Sequence, residues 1–254
     1  MNDPLFDVTD RVVLVTGGSR GLGAAMSVAL AQRGARVIIA SRKLEACQEL
    51  AARITDGGGH AHPLACHVGH WESLNGVVDD AVARWGRLDG LVNNAGMSPL
   101  APSLLDTSET LFDKVIGVNL KGPTRLTALA ATAMGRTGGG SIINISSVAS
   151  LMPTPLTTVY AAAKAGLNAL TSATAREFAS VGVRVNGIVC GTFDTDAAAG
   201  LVQNPDVLQG ILSSVALGRV GRPDEVVGAV LYLLSDASSY TTASLMTIDG
   251  GVAG

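Results

Sequence analysis

Short apolar runs alternate along this chain with longer stretches rich in Ala and Leu, and this alternation constrains the fold more than any other feature. RVVLVT at 11–16 and RVIIA at 36–40 are apolar almost without a break. A strand with one wet face alternates apolar and polar residues, whereas a parallel strand covered on both faces does not. Such strands separated by helix-length segments predict an α/β fold with a doubly wound parallel sheet and right-handed crossovers. We predict strands at 11–16, 36–40, 61–65, 88–92, 140–146, 183–189 and 244–248, and helices near 21–33, 43–55, 71–85, 108–135, 157–180 and 224–235.

The composition is typical of a globular chain and argues against several functional classes. Of the 254 residues 47% are apolar and 15% charged, so we expect order and a single domain over 1–254. The net charge of −3, without a long basic run, argues against nucleic acid or an anionic membrane as partner. We find no uninterrupted apolar stretch of about 20 residues that could span a bilayer. Three cysteines without C-x-x-C spacing, and an N-terminus without a signal-like apolar segment, predict a cytoplasmic location.

The first candidate binding element is TGGSRGLG at 16–23, directly after a predicted strand. Gly17, Gly21 and Gly23 have the spacing G-x-x-x-G-x-G, and an apolar helix follows. Glycine permits a tight turn and lets the backbone approach a pyrophosphate, whose charge then meets the helix N-terminus. This context predicts a Rossmann-type dinucleotide site, a parallel sheet of about seven strands with helices on both faces, rather than an ordinary turn.

The end of the second strand bears on the choice of cofactor. Rossmann sites usually place an acidic residue there to hold a ribose 2′-hydroxyl, but this chain has Ser41, Arg42 and Lys43. A carboxylate repels a 2′-phosphate, whereas a guanidinium binds it through two hydrogen bonds. Arg20, within the Gly-rich turn, is a second candidate for the same phosphate. NADP(H) is therefore favoured, and NAD(H) stays an alternative. The competing interpretation is that Arg42 and Lys43 are only solvated charges at the start of a helix.

Tyr160 and Lys164 stand four residues apart in the otherwise small-residue run VYAAAKAGL. Residues with this spacing share one helix face. Reduction of a carbonyl by hydride leaves an alkoxide that must be protonated, and a cation near a phenol stabilises phenolate and lowers its pKa. We therefore expect Lys164 to lower the pKa of Tyr160. The competing interpretation is a Lys whose stem packs beside a Tyr on an Ala-rich helix.

Several motifs in order make the chain resemble the short-chain dehydrogenase/reductase family over residues 8 to 251. They are TGGSRGLG (16–23), NNAG (93–96), VNL (118–120), INISS (143–147), YAAAK (160–164), CGTFDT (190–195) and DGG (249–251). The segment SRK after the second strand is similar to the NADPH-preferring carbonyl reductases of that family. Family members are commonly tetramers, so the resemblance implies a homotetramer.

The resemblance also implies roles for particular residues. Tyr160 would be the acid/base, and Lys164 would adjust its pKa. Ser147, thirteen residues before the tyrosine, would hold the substrate oxygen. Asn119 would anchor a water linked to Lys164. The implied cofactor contacts are Gly17, Ser19, Arg20, Gly21 and Leu22 at the pyrophosphate, Ser41 and Arg42 at the 2′-phosphate, His67 and Val68 at the adenine, Asn94, Ala95 and Gly96 at the ribose, Gly191, Phe193 and Thr195 at the nicotinamide, and Tyr160 and Lys164.

The chain departs from the family pattern at two of these places. His67 stands where an Asp usually follows the third strand, and Cys190 replaces the usual Pro before Gly191. Titration of His67 could make cofactor affinity depend on pH. All four histidines lie within 60–70, but their spacing does not match a zinc tetrad, so we expect no metal site.

We expect hydride transfer between NADP(H) and a small carbonyl or secondary alcohol. A β-ketoacyl carrier-protein reductase and a non-catalytic NAD(P)-sensing regulatory module are the alternatives. Residues 192–223 are the least regular segment and are predicted to form a lid. Segments 97–105, 148–156 and 192–215 are predicted to wall a largely apolar substrate pocket, which disfavours strongly anionic substrates.

Overall fold

The computed structural model describes residues 4–196, 198 and 204–253. Within them, seven strands form one parallel sheet. The strands are β1 (Val12–Thr16), β2 (Arg36–Ser41), β3 (His60–Ala65), β4 (Gly90–Asn93), β5 (Gly140–Ser147), β6 (Val183–Cys190) and β7 (Leu245–Ile248). Their order across the sheet is β3-β2-β1-β4-β5-β6-β7, and every neighbouring pair is parallel. The predicted doubly wound parallel sheet is confirmed.

Helices connect these strands and cover both faces of the sheet. The α-helices are α1 (Gly21–Ala31), α2 (Leu44–Asp56), α3 (Leu74–Trp85), α4 (Glu109–Ile116), α5 (Gly122–Gly135), α6 (Thr158–Glu177), α7 (Pro205–Leu212) and α8 (Val227–Leu234). Short 3-10 helices lie at Pro4–Phe6, Trp71–Ser73, Val148–Ser150, Ala179–Val181, Pro223–Val226 and Asp236–Ser238.

Two apolar clusters, one on each face of the sheet, explain the unbroken apolar runs. In β1, Val13 and Val15 belong to one cluster and Val12 and Leu14 to the other, because successive side chains of a strand point to opposite faces. Helices α1, α2 and α8 contribute to the first cluster, and α3, α5 and α6 to the second. Both faces of β1 are therefore dry, as the sequence predicted.

The predicted helix over 108–135 is interrupted. A π-helical segment at Gly117–Lys121 separates α4 from α5, and it carries Asn119. A Cβ on Gly122, the first residue of α5, would come within 2.2 Å of the Val68 carbonyl oxygen. The close approach of another chain segment and the buried amide of Asn119 explain why a wider turn forms here, and such turns are frequent at functional sites.

The sheet order reverses direction between β1 and β4, so the turns after these two strands diverge and leave a crevice at their carboxyl ends. The predicted lid contains a regular element, α7, whose N-cap Asn204 accepts hydrogen bonds from the amides of Asp206 and Val207. Residues 197 and 199–203 of that predicted lid lie outside the described residues. None of the helices described is both long enough and apolar enough to cross a membrane.

Candidate active site

Tyr160 and Lys164 lie on one side of α6. The Nζ atom of Lys164 is 5.8 Å from the centroid of the Tyr160 ring. Only 4% of Lys164 is exposed, and its Nζ donates a 2.7 Å hydrogen bond to the carbonyl of Ile145 in β5. The helical spacing brings the two side chains to one face, and the bond to β5 fixes the ammonium at the carboxyl end of the sheet.

Burial controls the ionisation of both side chains. It lowers the pKa of the Lys164 ammonium to about 8, although the nearby Cys190 thiol acts in the opposite direction. Burial also raises the pKa of the Tyr160 phenol above its ordinary value of 10, against the influence of the Ser147 hydroxyl. Loss of solvation is the largest influence on this pKa and the net shift is upward, so the expectation that Lys164 lowers the pKa stays a prediction. The phenol therefore keeps its proton at neutral pH.

Ser147, and not the neighbouring Ser146, is the serine beside the phenol. The side chain of Ser147 stabilises the ionised form of Tyr160, so the two hydroxyls are close to each other. The Oγ of Ser147 also accepts a 3.2 Å hydrogen bond from the amide of Ala149. Ser146 is 3% exposed, and its Oγ lies 3.5 Å from the carbonyl of Lys164 in the backbone of α6. Of the two serines, Ser147 alone meets the phenol.

A residue that the sequence analysis did not single out supports Ser147 from the same helix. The Nδ2 of Asn168 donates a 2.8 Å hydrogen bond to Ser150 Oγ, and that hydroxyl donates a 2.6 Å bond to the carbonyl of Ser147. Asn168 follows Lys164 by four residues, just as Lys164 follows Tyr160, so all three share one helix face. A search for another polar residue four positions after Lys164 would have identified Asn168.

Asn119 is fully buried and organises the turn that follows β4. Its Nδ2 donates to the carbonyls of Met97 and Val115, both at 2.9 Å, and its Oδ1 accepts from the amide of Met97 at 3.1 Å. Gly96 lies between the side chains of Asn119 and Lys164, since a Cβ on Gly96 would come within 3.1 Å of Asn119 Oδ1 and 3.7 Å of Lys164 Nζ. Asn119 thus fixes the Gly96 turn beside the lysine, and the water implied between Asn119 and Lys164 stays a prediction.

The Gly-rich turn has the backbone that a pyrophosphate site needs. Gly17 and Gly21 have φ values of +62° and +52°, which glycine adopts at little cost. A Cβ on Gly23 would come within 2.1 Å of the Gly17 carbonyl oxygen. Only glycine at this position therefore lets the start of α1 pack so closely against the turn. Arg20 is the N-cap of α1, and no described side chain accepts from the first amides of the helix. These amides suit an anion.

Thr16 and Asn94 hold this turn against the end of β4. The amides of Asn94 and Ala95 donate to Thr16 Oγ1 at 3.0 and 3.1 Å, and that hydroxyl donates to the carbonyl of Val92 at 3.2 Å. The Nδ2 of Asn94 donates to the carbonyls of Thr16 and Gly17 at 2.9 and 3.2 Å. Asn94 therefore has a structural task in addition to its predicted contact with ribose. Thr16 was missed, and its place as the last strand residue before the glycines was the signal.

The predicted adenosine end lies at the carboxyl ends of β1 and β2. Ser19 Oγ donates a 3.0 Å hydrogen bond to Ser41 Oγ, which joins the Gly-rich turn to the end of β2. Arg20 and Arg42 are both exposed there. Two exposed guanidiniums beside a turn without a carboxylate fit a phosphate on the adenosine ribose by their chemistry.

His67 also lies within the field of Arg42. Its ring stacks on that of His70 with centroids 4.1 Å apart. Burial lowers the pKa of His67, and the charges of His70, Arg42 and Lys114 lower it further. Val68 is buried in the core, so little of its side chain is accessible to an adenine. Among the described residues, no group of three or more His, Cys, Asp and Glu side chains could hold a metal ion.

The residues predicted near the nicotinamide occupy different surroundings. Thr195 lies against the Gly-rich turn, where a Cβ on Gly21 would come within 3.3 Å of its methyl group. The ring of Phe193 is in the core and packs against Gly221, so its backbone is the part available to a cofactor. A Cβ on Gly191 would come within 2.7 Å of the chain just after β7, which explains glycine there. Leu22 is partly buried against the first apolar cluster.

The fold and this cleft have close counterparts among known proteins. The family model described as Enoyl-(Acyl carrier protein) reductase matches residues 17–253. The chain is 37% identical over 242 residues to the 3-oxoacyl-(acyl-carrier-protein) reductase FabG of Thermotoga maritima, covering 95% of this chain and 97% of that protein. It is 35% identical over 244 residues to the cyclopentanol dehydrogenase of Comamonas testosteroni, covering 96% and 97%.

Solved structures match over nearly the whole chain. A short-chain type dehydrogenase/reductase from Mycobacterium marinum superposes with a TM-score of 0.93 at 35% identity, covering 98% of this chain and 97% of that one. A gluconate 5-dehydrogenase from Burkholderia cenocepacia, in complex with NADP and tartrate, gives a TM-score of 0.94 at 32% identity with the same coverage.

Proposed function

The chain belongs to the short-chain dehydrogenase/reductase family and is an NAD(P)-dependent oxidoreductase, and on that premise we propose that it reduces a small ketone or aldehyde with NADPH. The observation that carries the proposal is the placement of Tyr160, Ser147 and Lys164 together at the carboxyl ends of β5 and β6. The Gly-rich turn lies in the adjacent crevice, where dinucleotides bind in open α/β sheets.

Each of these side chains has one task in the proposed reaction. The bound nicotinamide supplies the hydride that the carbonyl carbon accepts. The Tyr160 phenol donates its proton to the carbonyl oxygen as negative charge develops there. The Ser147 hydroxyl donates a hydrogen bond to the same oxygen and stabilises that charge. Lys164, anchored on the carbonyl of Ile145, provides positive charge beside the phenolate that remains.

The pKa of Tyr160 supports reduction as the direction at neutral pH. Burial raises this pKa, so the side chain is present as the phenol, which is the form that a carbonyl reduction consumes. Oxidation of an alcohol consumes the phenolate instead. We therefore propose that reduction is fast near pH 7 and that oxidation requires a higher pH.

The preference for NADPH rests on the end of β2. Ser41 and Arg42 occupy the place where a carboxylate would hold a 2′-hydroxyl, and exposed Arg20 lies on the neighbouring turn. Relatives with bound NADP, such as the gluconate 5-dehydrogenase, support the same choice.

Reduction of a 3-oxoacyl group on a carrier protein is the second candidate, because FabG of T. maritima is 37% identical. An acidic carrier protein needs a basic docking patch. Arg125 is committed elsewhere, since its Nη2 donates to Asn75 Oδ1 at 2.6 Å and its guanidinium lies 5.1 Å from the centroid of the Trp71 ring. Arg136 and Arg176 lie at the C-terminal ends of α5 and α6.

The test is a comparison of substrates and cofactors by the absorbance of the reduced nicotinamide. Aldehydes, ketones, steroids and polyols are offered with NADPH and NADH, beside a 3-oxoacyl thioester. We expect turnover of a free ketone with NADPH at least about tenfold above NADH, since a charged bidentate contact contributes roughly that factor. Higher kcat/KM for the thioester than for any free ketone supports the second candidate instead, and turnover of no compound with either cofactor contradicts both.

Tyr160→Phe removes the phenol hydroxyl, and with it the hydrogen bond to Ser147, while the ring remains. We expect kcat to fall by about 10²–10⁴-fold while the Kd for NADPH stays within about twofold, because acid catalysis contributes that factor and the ring remains. Tyr240→Phe is the matched control, since Tyr240 is fully exposed. Retention of kcat in the Tyr160 variant contradicts the assignment of the acid.

A further inference from the structure

Asn168 lies one helical turn beyond Lys164 on α6, and its amide is linked through Ser150 to the turn that carries Ser147. We propose that Asn168 is a positioning residue for the reaction. Through Ser150 it fixes the short turn after β5, and thereby the direction in which the Ser147 hydroxyl donates its proton. The inference rests on the proposed function, because it concerns the substrate oxygen that Ser147 stabilises in that reaction.

The direction of the Ser147 hydroxyl is set by the 3-10 helix at Val148–Ser150. Ser147 is the N-cap of this helix, and its Oγ accepts a 3.2 Å hydrogen bond from the amide of Ala149. A hydroxyl has one proton to donate and two lone pairs that accept. Because the amide occupies a lone pair, the proton remains available for the phenol oxygen of Tyr160 or for a substrate oxygen beside it. A rotation of the turn would move this donor.

The turn itself offers little to hold that direction. A 3-10 helix of three residues has poor hydrogen-bond geometry and is marginal by itself. None of the three residues at Val148–Ser150 is fully buried, so packing restrains the turn only in part. A specific bond to a rigid neighbouring element therefore has a large influence on where Ser147 Oγ lies.

Ser150, the last residue of the turn, supplies that bond. The Nδ2 of Asn168 donates to Ser150 Oγ at 2.8 Å, and Ser150 Oγ donates to the carbonyl of Ser147 at 2.6 Å. Since Ser150 uses its only hydroxyl proton on this carbonyl, its partner on α6 has to be a donor, as the amide nitrogen of Asn168 is. The other hydroxyl nearby, Ser146 Oγ, is 3.4 Å from Ser150 Oγ, which is a weaker contact.

The second polar atom of Asn168 indicates that this residue does more than stabilise the fold. Its Oδ1 is buried, and none of the described residues donates a hydrogen bond to it. A buried acceptor without a donor lowers stability, and an apolar side chain of similar size would avoid that cost. The favourable contribution of Asn168 therefore lies in the bond that its Nδ2 makes to the Ser147 turn.

One face of α6 thus carries both the proposed proton donor and the support of its partner serine. Tyr160, Lys164 and Asn168 follow one another at intervals of four residues, so the helix fixes the distances between them. Linking the Ser147 turn to the same helix keeps the serine hydroxyl in register with the phenol. A chemical step is sensitive to such register, because a misplacement of about 1 Å can reduce the rate by about 10²-fold.

Substitutions along the relay test the proposal with NADPH and the free ketone or aldehyde that has the highest kcat/KM in the panel above. Asn168→Ala removes the donor, and Asn168→Asp keeps the shape but replaces the donor by an acceptor. We expect kcat to fall about tenfold in each, with KM and the Kd for NADPH changed less than about twofold. Ser150→Ala should give the same loss, and no further loss when it is combined with Asn168→Ala.

The decisive measurement repeats Asn168→Ala in a Ser147→Ala background. Loss of the Ser147 donor should by itself lower kcat by about 10²-fold. If Asn168 acts through this hydroxyl, adding Asn168→Ala should then change kcat less than about twofold, whereas any loss of Tm should be the same in both backgrounds. Equal fold-losses of kcat in the two backgrounds would show a merely structural role and overturn the inference.

Thr171→Val is the matched control on the same helix. Thr171 also joins α6 to β5, since its Oγ1 accepts a 2.9 Å hydrogen bond from the Nδ2 of Asn144, but this bond lies in the core and not on the turn after β5. We expect Thr171→Val to lower the Tm and to leave kcat within about twofold of the wild type. A tenfold loss of kcat in this control would contradict the inference, because any weakened link between α6 and β5 would then have the same effect.

The remaining outcomes separate the inference from the proposed function. Unchanged kcat in the Asn168 and Ser150 variants, with a large loss in Ser147→Ala, overturns the inference and leaves the proposed function standing. Unchanged kcat in Ser147→Ala contradicts the proposed task of the serine and the inference with it. Turnover of no compound in the panel overturns both.

Discussion

The two ends of the proposed cofactor cleft are built in opposite ways. At the catalytic end, Lys164 and Asn119 are buried, and each makes hydrogen bonds to backbone groups of neighbouring segments. At the adenosine end, Arg20 and Arg42 are exposed on turns. The proposed catalytic end is therefore held by the fold, whereas we propose that the adenosine end acts through charge at the surface. Chemistry requires fixed geometry, and recognition of a phosphate mainly requires the right sign of charge.

Lys164→Met should give the largest effect of the variants that probe this contrast. We expect kcat/KM to fall by about 10²–10³-fold, because the phenolate loses its stabilising charge. The Tm should change by only a few degrees, since the variant both removes a costly buried cation and leaves the carbonyl of Ile145 without its donor. Lys121→Met, at an exposed lysine, is the control.

The pH dependence of the wild-type enzyme sharpens the same test. Burial lowers the pKa of Lys164 to about 8, so the ammonium is charged at pH 7 and is lost as the pH rises through 8. An unfolded lysine titrates near 10.5, so between these values the unfolded state binds more protons and stability rises with pH. A pH profile of kcat/KM should decline above pH 8 in the wild type, and this limb should be absent from the Met variant. An identical profile in both proteins contradicts the role of the lysine.

Arg42→Asp should give an intermediate effect at the other end of the cleft. We expect the Kd for NADPH to rise by about 10- to 100-fold, because a guanidinium is replaced by a group that repels phosphate. The Kd for NADH should stay constant or fall, since a carboxylate can bind a 2′-hydroxyl. Fluorescence titration of both cofactors measures this, with Lys43→Asp as the neighbouring control of the same charge change. Parallel weakening of NADPH and NADH would show that Arg42 acts on the fold rather than on the phosphate.

His67→Asn should give the smallest effect, visible only as a change in pH dependence. Burial and the charges of His70, Arg42 and Lys114 lower the pKa of His67 below its ordinary value of 6.5, so it takes up a proton at a lower pH than an unperturbed histidine. We expect wild-type affinity for NADPH to increase a few-fold more between pH 8 and pH 5.5 than that of the variant, because the imidazolium adds to the field of Arg42. The phosphate of the cofactor titrates equally in both measurements, so their difference isolates His67. His62→Asn, on β3, is the control.

Local patterns explain why the fold was predictable. The unbroken apolar runs of β1 and β2 indicate strands that are buried on both faces, and the glycines of TGGSRGLG indicate the strand-to-helix turn. The break of the predicted 108–135 helix was not predictable in this way. It depends on contacts of Asn119 with Met97 and on the approach of the Val68 carbonyl to Gly122, and these partners are far away in sequence.

The same division applies to the site. The four-residue spacing of Tyr160 and Lys164 is a property of one helix, so the sequence alone determined that they share a face. The sign of the pKa shift of Tyr160 was not determined there, because desolvation sums over every segment packed around the phenol. The left-handed conformation of Leu156 likewise depends on the Ala101 amide in another loop. Periodicity and turn chemistry act over a few neighbouring residues, whereas burial and loop pairing exist only once distant parts of the chain have met.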